Sequence, residues 1–268
     1  MKKYILFLLS LFIFANADAL DDNIATFMDA KKYESSKNLI RFLFVPRENY
    51  YKNGAIDTLG VIKTLNKNGL LSLYSKEPKD VELVFYIDFN PLISLKVIHE
   101  SLTSMGYSFF LTKKMAKSSN GLEWHIDIST QHVPNPIVLE ENLRQRGCFI
   151  EDITKNENRW SYKINTQNTK IDALKLQKNI QHELTKPFSA YWVKLDSVEK
   201  VIIRSHIADY WYPKVTFYDE GLNFLNKIEE SDKKAVLNVS VPKKAHYIKI
   251  EDRYTLDNIK RGIKITLE

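Results

Sequence analysis

The chain has 268 residues, of which 44% are hydrophobic and 27% charged, and a formal net charge of +6. It is too apolar for a disordered protein; 8 Gly and 8 Pro exclude a collagen-like or linker-dominated chain, and a single Cys excludes an internal disulfide framework and a cysteine-based zinc site. The basic residues are scattered rather than clustered, so nucleic acid is not an expected partner.

The N-terminus reads Met1-Lys2-Lys3, then an apolar run from Tyr4 to Ala15 broken only by Ser10, then Ala15-Asn16-Ala17-Asp18-Ala19. A basic start, a short apolar run and an A-x-A site predict a secretory signal peptide over 1–17, with cleavage after Ala17 or Ala19. The run is shorter than the roughly 20 residues a membrane helix needs. No transmembrane segment is therefore expected after cleavage, and the periplasm is the expected location. Loss of Lys2 and Lys3 lowers the net charge from +6 to +4.

Residues 18–54 predict a helix and a loop. Ile24, Phe27, Met28 and Lys31 share one helical face, Leu39, Ile40, Leu43 and Phe44 continue the apolar signal, and Pro46 stops it.

From 55 to 168 one pattern recurs three times: an apolar-periodic helix ending in Gly, an apolar strand, a polar turn and a second strand. The helices close with Leu65-x-x-x-Gly69, Leu102-x-x-x-Gly106 and Leu143-x-x-x-Gly147, and Val61, Ile98 and Leu139 sit one turn earlier on the same faces. Asn90-Pro91 and Asn135-Pro136 predict helix starts. The first strands are expected at Leu70–Leu73, Tyr107–Leu111 and Cys148–Ile150. That slot gives Cys148 a packing role. The second strands are Phe85–Phe89, Trp124–Ile128 and Trp160–Ile164. Alternation turns Phe85, Ile87, Phe89, Trp124, Ile126, Ile128, Trp160, Tyr162 and Ile164 inward and leaves Tyr86, Asp88, His125, Asp127, Ser161 and Lys163 on an open polar face. The βαββαβ order over residues 81–153 resembles the sporulation-related repeat (SPOR) domain of exported bacterial proteins, or another ferredoxin-like two-layer domain. The SPOR resemblance implies peptidoglycan binding.

From 169 to 268 the helical signal ends. Six short alternations separated by turns, Tyr191–Leu195, Lys200–Ile203, Lys214–Tyr218, Leu237–Val241, Tyr247–Ile250 and Ile263–Leu267, predict an all-β sandwich. Their order over 171–268 is similar to the bacterial pre-peptidase C-terminal (PPC) sandwich and, more loosely, to jelly-roll carbohydrate-binding modules, which implies a non-catalytic accessory role. The expected fold class is thus α+β: a two-layer α/β domain of three α-β-β repeats followed by an all-β sandwich.

No nucleophile elbow, zinc-protease helix, P-loop or dinucleotide fingerprint is present in the sequence. No catalytic residue, metal site or cofactor is predicted. The candidate binding residues are Tyr210, Trp211 and Tyr212, an aromatic run read as a sandwich loop, and Tyr86, His125 and Asp127 on the open sheet face. His125 and Asp127 stand two apart on one strand, as an acid–base pair would, and Asp88 and Asp127 could in principle form a glycosidase carboxylate pair. The expected function is that of an exported, non-catalytic binding or scaffold protein whose partner is an envelope protein or a peptidoglycan-type glycan. The alternatives are a secreted hydrolase of envelope polymers and a surface adhesin-like factor.

Overall fold

The computed structural model describes residues 19–118 and 121–268, so the signal peptide expected at 1–17 lies outside the described residues. The fold is α+β, and the chain divides into two compact units, one ending at Lys170 and one running from Ile171 to Glu268.

In the first unit, helix α1 (residues 19–26) and helix α2 (Ala30–Leu43) replace the single helix expected there. Asp29 separates them by accepting from the backbone N–H groups of Lys31 and Lys32, which caps α2. A short hairpin of β1 (Tyr51–Lys52) and β2 (Ala55–Ile56) then leads into the repeats: α3 (Thr58–Lys67) and β3 (Tyr74–Ile87); α4 (Pro91–Ser104), β4 (Leu111–Ser118) and β5 (Gly121–His132); α5 (Pro136–Gln145), β6 (Phe149–Asn156) and β7 (Arg159–Asn165).

The three helices end in the same way. Gly69, Gly106 and Gly147 all have positive φ, and the next residue, Leu70, Tyr107 or Cys148, donates its N–H to the carbonyl of Leu65, Leu102 or Leu143. This is the Schellman closure, in which the residue after the glycine folds back onto the last turn. The strands expected at Leu70–Leu73 and over most of Tyr107–Leu111 are absent; Leu70, Leu71 and Tyr107 instead close helices. The first repeat has one long strand, β3, where two were expected. The closure also accounts for Cys148, which is fully buried with its sulfur 3.2 Å from Thr169 Oγ1, and whose thiol is pushed up by burial. Asn135 caps α5 through Ile137 N–H, whereas Asn90 adopts a left-handed conformation with no side-chain cap.

The five strands β3–β7 form one sheet in the order β4-β5-β3-β7-β6. Only β3 and β7 run parallel. In a plain βαββαβ sheet β6 would lie directly against β3; here β7 is inserted between them. One face is apolar. Phe85 lies opposite Trp124 on β5 and Tyr162 on β7, with ring centroids 5.7 and 5.4 Å apart, and Trp160 packs 5.6 Å from Phe27. Helices α3, α4 and α5 cover this layer, with α5 packed against both α3 and α4. Phe89 is not part of it: β3 ends at Ile87, and Phe89 is 50% exposed.

The second unit contains β8 (Gln181–Leu184), β9 (Tyr191–Lys194), β10 (Lys200–Ser205), β11 (Pro213–Tyr218), β12 (Phe224–Glu229), β13 (Val236–Ser240), β14 (Tyr247–Asp252) and β15 (Ile263–Leu267). They form two antiparallel sheets, β13-β10-β15-β8 and β12-β11-β14-β9. Apart from β11 and β12, which pair within one sheet, successive strands alternate between sheets in the manner of an eight-stranded jelly roll. Val201, Ile203, Val239 and Ile265 of one sheet share a core with Val193, Val215, Phe217 and Ile250 of the other. All six expected strands are present. The two additional ones, β8 and β12, are edge strands with little burial and so lack an apolar alternation.

Candidate functional site

Alternation along β3, β5 and β7 places Glu82, Tyr86, Glu123, His125, Asp127, Arg159 and Lys163 on the face of the first sheet opposite the helices. His125 is not open to solvent, as expected, but only 7% exposed. Its Nδ1 lies 2.9 Å from Glu82 Oε1 and its Nε2 2.5 Å from Glu123 Oε1. Glu82 also accepts from Arg159 Nε at 2.6 Å, and Glu123 pairs with Lys114 at 3.2 Å. Both carboxyls are held below the usual carboxylate range, Glu82 by His125 and then Arg159, Glu123 by His125 and then Lys114.

His125 and Asp127, expected on a solvated polar face, do not pair with each other. Asp127 turns to Lys113, 3.2 Å away, and both nitrogens of His125 are taken by glutamates. Asp88 is equally committed, accepting from the Thr166 and Phe89 backbone N–H groups and from Thr166 Oγ1 at 2.7 Å. Neither aspartate is poised as a free acid or nucleophile. Tyr86 is exposed beside Asp88 and Lys163 in a shallow depression. A cleft at one end of the sheet, lined by Tyr74, Lys79 and Lys155 among others, directs the Lys155 amine onto the Thr26 carbonyl at 2.8 Å. Burial, with Lys79 adding to it, lowers the Lys155 pKa.

The aromatic run Tyr210-Trp211-Tyr212 divides by strand alternation. Trp211 has 0% exposure and is a core residue, with its indole N–H donated to the Glu251 carbonyl at 3.1 Å. It is withdrawn from the ligand-facing set, because the residues flanking β11 alternate inward and outward and Trp211 falls in line with Val215 and Phe217. Tyr210 is 62% exposed, with the Lys233 amine 4.2 Å from its ring centre. Tyr212 packs edge-on against Tyr254 at 5.0 Å, and Tyr254 is itself 62% exposed beside the Arg253 guanidinium.

Two buried carboxylates hold these loops in place. Asp252 accepts from the backbone N–H groups of Tyr212, Tyr254 and Thr255 and from Asn258 Nδ2, at 2.7–3.0 Å. Asp209 takes the Arg261 backbone N–H and a 2.5 Å ion pair with the same residue's guanidinium. Charge-assisted bonds of this kind are the stronger class. The exposed tyrosines therefore stand on a rigid base.

The outer face of β12-β11-β14-β9 continues from that end. Lys214, Thr216 and Tyr218 follow Tyr212 at every second position, and Lys249 lies between Thr216 and Trp192 in register. Trp192 and Tyr218 meet with ring centroids 5.2 Å apart. Trp192, Tyr218 and Tyr254 were not among the expected binding residues. Alternation could have found the first two, since Tyr191, Val193, Val215 and Phe217 fill the core and force their neighbours outward. Tyr254 follows a strand end and carries no such signal.

Among the described residues no group of three or more His, Cys, Asp or Glu is arranged to hold a metal ion, and no helix is long and apolar enough to cross a membrane. No protein-family model, curated protein or solved structure matches the chain.

Proposed function

We propose that this is an exported, periplasmic binding protein that acts without catalysis and holds an envelope glycan through its C-terminal sandwich. The observation that supports this reading is the set of tyrosines Tyr210, Tyr212 and Tyr254 on loops pinned by Asp209 and Asp252. A tyrosine ring offers a flat apolar surface with a polar tip, suited to the apolar faces and hydroxyl rim of a sugar. A loop already fixed loses little entropy on binding, so more of the contact energy becomes affinity. A hydrolase is less well supported, because Asp88, Asp127 and His125 are each engaged in local bonds.

Cosedimentation of the purified protein with peptidoglycan sacculi tests the reading. Stable binding without release of soluble fragments is expected. Tyr210→Ala and Tyr254→Ala should each weaken binding by about 1 kcal/mol or more and leave the melting temperature nearly unchanged, since both rings are largely exposed. Release of fragments would contradict the non-catalytic reading, and failure to sediment would contradict the choice of this glycan.

A further inference from the structure

The outer face of the sandwich sheet is richer in cations than in carboxylates. Lys194, Lys214, Lys227, Lys249 and Arg253 stand on it. Their acidic partners are Glu251, shared by Lys214 (3.6 Å) and Lys249 (2.5 Å), Glu229, shared by Lys227 (2.5 Å) and Arg253 (3.4 Å), and Asp196 at the margin, 3.4 Å from Lys194. Sharing holds the long side chains in place and leaves positive charge uncompensated along the face. Aromatic rings mark both ends: Tyr212 with Tyr254 at one, Trp192 with Tyr218 at the other. Tyr218 lies six positions beyond Tyr212, about 20 Å at the usual rise of a strand.

We propose that this face binds an extended acidic saccharide, its rings stacking on the terminal aromatics and its carboxylates meeting the lysines between them. The proposal rests on the glycan-binding reading above and adds the charge and length of the ligand. An acidic peptide suits the face less well. Peptides gain most from an exposed strand edge, where main-chain hydrogen bonds form. Here the cations and the aromatic pairs lie on the flat of the sheet, and the central strands β11 and β14 have their backbone groups paired on both sides. A sugar chain needs no main-chain partner; it uses ring faces, hydroxyls and charge.

Titration calorimetry of the full chain with polygalacturonate, its fully methyl-esterified form and poly-glutamate tests the proposal. The expected result is binding to polygalacturonate, at least tenfold weaker binding to the ester, and no comparable binding to poly-glutamate. Lys249→Gln should weaken polygalacturonate binding severalfold without changing the melting temperature, and Tyr218→Ala should weaken it severalfold at the far end. Equal affinity for acid and ester would overturn the acidic preference while leaving glycan binding intact. Binding to poly-glutamate alone would overturn the saccharide assignment. No binding to any of the three probes, with sacculi still retained, would overturn the proposal but not the wider reading; loss of sacculus binding as well would remove both.

Discussion

The open face of the first sheet and the outer face of the sandwich sheet both carry polar side chains at every second position, but they dispose of them differently. On the first, Glu82 and Glu123 enclose His125 and draw in Arg159 and Lys114, and Asp127 takes Lys113. Charge is answered locally, and the ring of His125 is buried by the groups it bonds. On the second, two glutamates are each shared between two cations, a margin of positive charge remains, and aromatic rings stand at both ends. A polar face spent on internal bonds is a wall; one that keeps charge and aromatic area in reserve can bind. Surface ion pairs contribute little stability in any case, so the sandwich face loses little by leaving its pairing incomplete.

The comparison breaks most severely if its scaffold fails. Trp211→Ala removes a fully buried indole from beneath the aromatic loops and should cost about 3–5 kcal/mol, measured by chemical denaturation. A loss of less than about 1 kcal/mol would show that Trp211 is not the core residue described here. Asp252→Ala leaves four donors without their common acceptor and should cost about 3 kcal/mol. Hydrogen exchange should quicken at Tyr212, Tyr254 and Thr255 while the first unit keeps its protection.

A milder test concerns the wall. The folded-state pKa values of Glu82 and Glu123 are depressed, so the stability they contribute is present above the unfolded carboxylate value of about 4.3 and is lost as pH falls through their folded values. The wild-type protein should lose stability steeply below about pH 4 for this reason. Glu82→Gln should show a shallower acid limb in urea titrations across that window; an unchanged slope would remove Glu82 from the network's energetics. The smallest effect is expected at Tyr162. Its hydroxyl is buried with no hydrogen-bond partner among the described residues, and burial pushes its pKa far upward. Tyr162→Phe should be neutral or stabilise by up to about 1 kcal/mol, and a clear loss by thermal denaturation would reveal a partner for that hydroxyl.

Strands with one buried face were readable from sequence because alternation is a strong signal, as at Trp124–Ile128 and Trp160–Ile164. Edge strands β8 and β12 bury too little to print that pattern. The apolar residues after Gly69 and Gly106 misled for a different reason: a helix closure and a strand both ask for an apolar residue there, and the closure at Cys148 is followed by a strand while those at Leu70 and Tyr107 are not. At the site, the exposed Tyr210 and half-buried Tyr212 were legible as an aromatic run, but the inward turn of Trp211 needed the strand register. The His125 network was hidden because its partners come from β3, β4 and β7 as well as its own strand, and strand order is not written in local sequence.

The central claim is that the ligand meets the sandwich face and not the polar wall. Hydrogen-exchange mass spectrometry of the full chain with and without polygalacturonate tests it directly. The predicted result is slowed exchange over residues 210–218, 225–229 and 247–255, with no change over 82–86 or 123–127. Protection confined to the strands around Glu82 and His125 would contradict it.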